Sequence, residues 1–232
     1  FLQRAYDQII HDVCLQNLPV LFCLDRAGLV GEDGPTHHGA FDLSFLRHFF
    51  NLCLLAPRHE SEVAPMLKAA LAHEGPAAIR YPRGHSGLNL ADQVAAPIAW
   101  GEGEFLRQGK YIAVIGIGTA TNHGLAAAAL WEAQGNAPIT VFNTRFVKPL
   151  PEKQLLAIAA EHEHILVLEE NALAGGFSSA LLELFNDHGV NRRIIRLGLP
   201  DAFIRQGPAD FLREEAGLCA QSVLAALERL EA

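Results

Sequence analysis

Apolar runs and helical stripes alternate along most of this chain. Leu2, Tyr6, Ile9, Ile10 and Val13 recur near helical spacing and predict a helix over 2–15. The apolar run at 19–24 predicts a buried strand ending at Asp25-Arg26. A short helix follows at 42–50 with Asp42 as its cap, then a strand at 52–56. Pro57, Glu60 and Glu62 open a helix that ends near His73, and 77–81 is the next strand. A second series has strands at 111–117, 139–143, 164–169 and 193–197. Between them lie helices running to Gly135, over 151–162 and over 177–188, with closing helices in 209–231. Such alternation builds parallel sheets covered by helices, so the fold class is α/β with two open parallel-sheet units. The polar, aperiodic stretch 86–101 separates the two series. It divides the chain into a unit at 1–90, a linker at 91–108 and a unit at 109–232.

Composition narrows the setting. The 232 residues are half hydrophobic, enough for one large or two ordinary domains. A formal charge of −8 argues against nucleic acid as a main partner. No apolar stretch approaches the ~18 residues of a membrane span, and no charged start followed by an apolar core marks a signal peptide. Cys14, Cys23, Cys53 and Cys219 are widely spaced without a CxxC, and three sit in apolar contexts. They are expected to be buried free thiols of a reducing, cytoplasmic compartment. Neither they nor the 11 histidines form a zinc spacing, and no metal ligand is assigned. The chain begins at Phe1, holds one methionine, and enters its first helix without a capping residue. It is therefore expected to be a piece of a longer protein.

The candidate chemistry lies in 24–46, LDRAGLVGEDGPTHHGAFDLSFL. Gly28, Gly31, Gly34 and Gly39 allow tight turns and close approach of the backbone to a ligand. Among them stand Arg26, Glu32, Asp33, His37 and His38. A loop at the carboxyl end of a parallel strand is where open α/β sheets bind their ligands. Arginine and histidine there suit an anionic, hydroxylated substrate.

These residues carry a resemblance. GEDGPTH is similar to the pyrimidine-binding domain of transketolases, which use thiamine diphosphate. DRAGLVGEDG with THHGAFDLSFLR resembles more narrowly the 1-deoxy-D-xylulose-5-phosphate synthase family of transketolase-like enzymes. FLQRAYDQIIHDV, RYPRG, RFVKPL, EENALAGG and GLPDAFIRQG extend the likeness over most of the chain. The resemblance implies a partial pyrimidine-binding domain followed by a transketolase C-terminal domain. It implies a parent reaction joining pyruvate to glyceraldehyde 3-phosphate with loss of CO₂, with thiamine diphosphate and Mg²⁺ as cofactors, in a homodimer. It makes Phe1 the aromatic packed on the aminopyrimidine, with Arg4 beside it. Arg26 and Arg83 become the pair gripping the substrate phosphate, and Asp33 and His37 the residues that bind hydroxyls and assist proton movement. The family's cofactor glutamate would precede Phe1, and its diphosphate and metal ligands are absent from this chain. A missing N-terminal part of the same protein is thus an expected partner, and the chain alone is expected to be inactive.

Blander explanations stand beside these. Arg4 is by itself an ordinary surface residue, and His37 could order the loop. His38 receives no role, and Arg80 and Tyr81 are supports of the Arg83 loop. GIGTATNHG lacks the full GxGxxG, and Asn143 rather than an acid closes the next strand, so it is a structural turn. Glu169 and Glu170 are neighbours on a strand, face opposite ways, and are assigned packing and interface roles. His59, His73, His162 and His188 are expected on solvated helices. A transketolase, a 2-oxoacid dehydrogenase beta-type subunit and a non-catalytic assembly module remain the alternative functions. DRAG and GAFD argue against the first two.

Overall fold

The computed structural model describes residues 1–84 and 97–231; most of the boundary stretch at 86–101 lies outside them. Strands β1 (Leu21–Leu24), β2 (Cys53–Leu55) and β3 (Ala77–Arg80) form the first sheet with β7 (Phe146–Lys148), in the order β1-β3-β2-β7. Strands β4 (Glu104–Arg107), β5 (Tyr111–Gly116), β6 (Thr140–Asn143), β8 (His162–Ala172) and β9 (Arg193–Leu199) form the second, in the order β4-β6-β5-β8-β9. The apolar runs give the parallel pairs β1·β3, β2·β3, β5·β6, β5·β8 and β8·β9.

Both sheets are mixed rather than wholly parallel. β7 runs antiparallel to β2 and β4 antiparallel to β6. The sequence pattern missed both because each is a three- or four-residue edge strand, too short for an alternating signal. β4 falls within the stretch read as linker at 91–108. β7 comes from the second series yet closes the first sheet. The core follows the same crossing, since one apolar cluster joins Leu43, Leu46 and Leu54 to Ile115, Phe142, Phe177 and Phe185.

Helices α3 (Glu60–Leu71), α4 (Ala120–Ala133), α5 (Glu152–Glu161), α6 (Phe177–Asp187), α7 (Ala209–Glu215) and α8 (Ala220–Glu231) occupy the places the periodicity predicts. Three details differ. The segment over 2–14 is a 3₁₀ turn, the short α1 (Tyr6–Gln8) and a π-helical stretch, whose wider turns bury both Ile9 and Cys14. Helix α2 (Asp42–Leu46) is shorter than expected, and Asp42 does not cap it, because its carboxylate is taken by Arg80 Nε at 3.2 Å. At α3 the cap is His59, whose Nδ1 accepts the Ser61 amide at 3.0 Å.

His59 and His162 are buried, not on solvated faces. His162 is held between the Thr140 hydroxyl and the Ile158 carbonyl. His73 stacks on Trp100, and His188 is exposed as expected. All four cysteines are free. Cys14 and Cys53 are buried, but Cys23 is exposed because its face of edge strand β1 is uncovered. Among the described residues, no helix is long and apolar enough to cross a membrane.

Candidate functional site

Strands β1 and β3 end side by side, with Leu24 opposite Arg80. This register brings Arg26, two residues beyond β1, near Arg83, three residues beyond β3. Between them the chain from 26 to 39 folds into a loop closed at its neck by paired Gly28 and Gly39 amide-to-carbonyl bonds of 3.1 and 2.8 Å. The close approach is what demands glycine: a Cβ on Gly39 would lie 2.3 Å from the Arg26 carbonyl. Arg26 itself has φ +60°, a left-handed conformation that costs energy for a side-chain-bearing residue and concentrates at functional sites.

The two arginines meet at one carboxylate. Arg83 Nη1 lies 2.6 Å from Asp33 Oδ2, and Arg26 Nε lies 3.9 Å from the same oxygen. Arg26 also reaches Asp25 at 2.8 Å, while its Nε has no hydrogen-bond partner among the described residues. His37 lies within 2.9 Å of the Thr36 hydroxyl, and its ring meets the Phe1 ring edge-on at 4.9 Å. Phe1 is 58% exposed. A cleft of about 170 Å³ is lined by Phe1, Phe22, Arg26, His37, His38 and Phe41, among others. Arg4, Asp33 and Arg83 are not in its lining. The structure thus gathers Phe1, Arg26, Asp33, His37 and Arg83 around one loop and leaves Arg4 exposed on the helical segment.

A larger cleft of about 490 Å³ opens on the other side of the loop, between Leu29, His38, Phe41, Leu173, Leu199 and Phe203. Its walls are mainly apolar. Arg196, Asp201 and His38 are the polar groups of this larger cleft; Asp25, Arg26, His37 and His38 are among those of the smaller one.

The loop is braced from behind by groups that spacing alone does not reveal. His38 Nδ1 accepts the Val30 amide at 3.1 Å, so this histidine orders the loop. Arg80 is 5% exposed and donates to Asp42, to the Gly39 carbonyl at 2.7 Å and to the Glu170 carbonyl at 2.8 Å. Glu170 Oε1 accepts the Leu29 amide at 2.8 Å and pairs with Arg213 Nε at 3.1 Å. The Asn171 side-chain carbonyl accepts the Leu43 amide, and the Ala172 amide donates to the Ala40 carbonyl. Glu169, facing the other way, caps α6 by accepting the Phe177 and Ser178 amides at 2.7 and 2.9 Å. Burial pushes its carboxyl above the usual range, and those bonds oppose the shift. Burial likewise holds the His123 imidazole below its ordinary value, against the pull of Glu170. The opposite-face argument for the two glutamates therefore holds, and each has its own amide partner. Only the separation of 141 residues between Leu29 and Glu170 hid the second.

Among the described residues, no group of three His, Cys, Asp or Glu side chains is placed to hold a metal ion.

Residues 1–87 match the family described as transketolase, pyrimidine binding domain, and residues 101–223 the transketolase, C-terminal domain. The chain is 53% identical over 233 residues to 1-deoxy-D-xylulose-5-phosphate synthase of Nitratidesulfovibrio vulgaris, with 99% of the chain and 36% of the relative covered. It is 52% identical over 230 residues to 1-deoxy-D-xylulose-5-phosphate synthase 1 of Geobacter sulfurreducens, covering 98% and 36%. The chain thus spans little more than a third of the length of these curated relatives. A solved structure described as a split gene transketolase, inactive beta4 tetramer, superposes with TM-score 0.86 at 26% identity, covering 98% of this chain and 71% of that one. Transketolase from Campylobacter jejuni shares the fold at TM-score 0.77 and 20% identity, covering 98% and 34%.

Proposed function

The chain belongs to the transketolase family, and on that premise we propose that it forms the acceptor-substrate half of a 1-deoxy-D-xylulose-5-phosphate synthase. The observation that carries this reading is the convergence of Arg26 and Arg83 on one point at the carboxyl edge of adjacent parallel strands. Two guanidiniums that can share a carboxylate can share a phosphate, with charge-assisted bonds to its oxygens. Asp33, once a phosphate takes those donors, is free to accept the hydroxyls of glyceraldehyde 3-phosphate. His37 stands beside it to hand a proton to the aldehyde oxygen as the new carbon–carbon bond forms.

Thiamine diphosphate supplies the carbanion chemistry when bound. The exposed Phe1 ring at the cleft fits its aminopyrimidine, with Arg4 on the next turn of the helical segment. Among the described residues no group of three His, Cys, Asp or Glu side chains is placed to hold Mg²⁺, and the diphosphate and metal ligands are proposed to lie elsewhere in the enzyme. Those ligands belong to the two-thirds of the relatives' length that this chain does not match. The whole enzyme takes pyruvate and glyceraldehyde 3-phosphate, releases CO₂, works in the cytoplasm and pairs as a homodimer. The neighbour described as an inactive tetramer supports the view that the chain by itself folds and associates without turnover.

The test is reconstitution. The chain joined to the rest of the Nitratidesulfovibrio relative should convert pyruvate and glyceraldehyde 3-phosphate to 1-deoxy-D-xylulose 5-phosphate, and the chain alone should not. Turnover by the chain alone, or use of ketose-phosphate donors in place of pyruvate, would overturn the assignment. Asp33→Ala and His37→Ala should lower kcat rather than raise KM.

A further inference from the structure

The two arginines at the loop are carried by different strands, and a single residue touches the support of both. Leu29 lies three residues beyond Arg26, and its amide donates to the Glu170 side chain at 2.8 Å. Arg80 lies three residues before Arg83, and its guanidinium donates to the Glu170 backbone carbonyl at 2.8 Å. Glu170 is 4% exposed and is fixed in turn by Arg213 at 3.1 Å. The loop comes so close that a Cβ on Gly28 would lie 2.6 Å from the Glu170 carboxyl carbon. A buried carboxylate is costly unless it is paired and hydrogen-bonded, and Glu170 Oε1 has both the Leu29 amide and the Arg213 guanidinium.

We propose that Glu170, with Arg213 behind it, is the positioning residue that sets the separation of Arg26 and Arg83 and so tunes the site to the phosphate end of the acceptor. It touches no substrate; its side chain acts through the Leu29 amide, and its backbone carbonyl, which substitution leaves in place, anchors Arg80. Binding groups must be held closely to be productive, and the residues behind them supply that hold. The second unit thereby takes part in acceptor recognition from behind the loop. This inference rests on the function proposed above.

The experiment uses the reconstituted enzyme with Glu170→Ala and Glu170→Gln. Glu170→Ala should raise KM for glyceraldehyde 3-phosphate by about tenfold while changing that for pyruvate by less than about twofold. Glu170→Gln keeps an oxygen for the Leu29 amide and should restore most of the loss. Where Glu170→Ala does not fold, Glu170→Asp, one methylene short of Leu29 yet still charged, should show the same selectivity. Equal effects on both substrates, no effect, or failure of Glu170→Gln to restore the phosphosugar KM would overturn the proposal. The 232-residue chain gives a readout independent of activity. In it, Glu170→Ala should speed amide hydrogen exchange at Leu29 and its neighbours but not in β5. If the reconstituted enzyme makes no product yet exchange shifts this way, the synthase assignment fails, the tuning for phosphate falls with it, and only the hold of Glu170 on the loop stands. Unchanged exchange removes the positioning role whatever the activity.

Discussion

Two clusters of arginine and carboxylate flank the same loop and are built in opposite ways. In front, Arg26 and Arg83 meet Asp33 with side chains 38%, 59% and 32% exposed. Behind, Arg80 pairs with Asp42 at 5% and 12%, and Arg213 with Glu170 at 17% and 5%. Beyond these pairs, Arg80 also donates to the Gly39 and Glu170 carbonyls and Glu170 accepts the Leu29 amide, so the rear cluster is tied into the backbone. The front cluster spends its bonds on side chains that water or a ligand can replace. Similar residues thus form a buried framework or an exposed cluster, according to what else their atoms are bonded to, and the proposed function places the binding site at the exposed one.

That contrast should show first in stability. Arg80→Met strands a buried carboxylate and two carbonyls, and should cost roughly 3–5 kcal/mol in denaturant unfolding. A loss below ~1 kcal/mol would place the rear cluster in the same class as the front. In the reconstituted enzyme, Arg83→Ala should lower kcat/KM for glyceraldehyde 3-phosphate by roughly tenfold to a hundredfold and spare pyruvate. Equal damage to both substrates would break the assignment of the front cluster to phosphate. The same Arg83→Ala should change folding stability by less than about 1 kcal/mol, since its ion pair is exposed.

The smallest effect is one of pH. His123 faces Glu170, Arg213 and Asp210, and burial keeps its imidazole below the ordinary 6.5. A group with a lowered value in the folded state adds stability above the unfolded value and loses it as pH falls through the folded one. Stability measured from about pH 7 down to 5 should therefore decline through this ring, and His123→Gln should flatten that part of the slope. An unchanged slope would detach His123 from the rear cluster.

Much of the front cluster is legible in the sequence because its residues lie in one glycine-rich stretch and one RYPRG turn. The parallel strands are legible because buried strands make unbroken apolar runs. Of the rear cluster only the supporting role of Arg80 beside Arg83 is legible; its partners are not, because their bonds join residues 38 to 141 positions apart, and no local spacing encodes such a distance. Asp42 shows the difficulty: before a helical stretch an aspartate looks like a cap, until a buried arginine claims it. His59 and His162 mislead likewise, since histidine patterns with polar residues but can be buried once both ring nitrogens are engaged.

Strand β7 has a practical consequence for recombining this fold. Its residues follow the second sheet's strands β5 and β6 in sequence, yet they cover the edge of β2. A chimera cut between residues 84 and 101 would import a foreign edge strand into the first sheet, with side chains at 146–148 unmatched to Leu54 and Leu55. A fragment ended there would leave β2 as a bare edge, open to pairing with other chains. Crossovers placed after Lys148 keep that edge covered by its native strand.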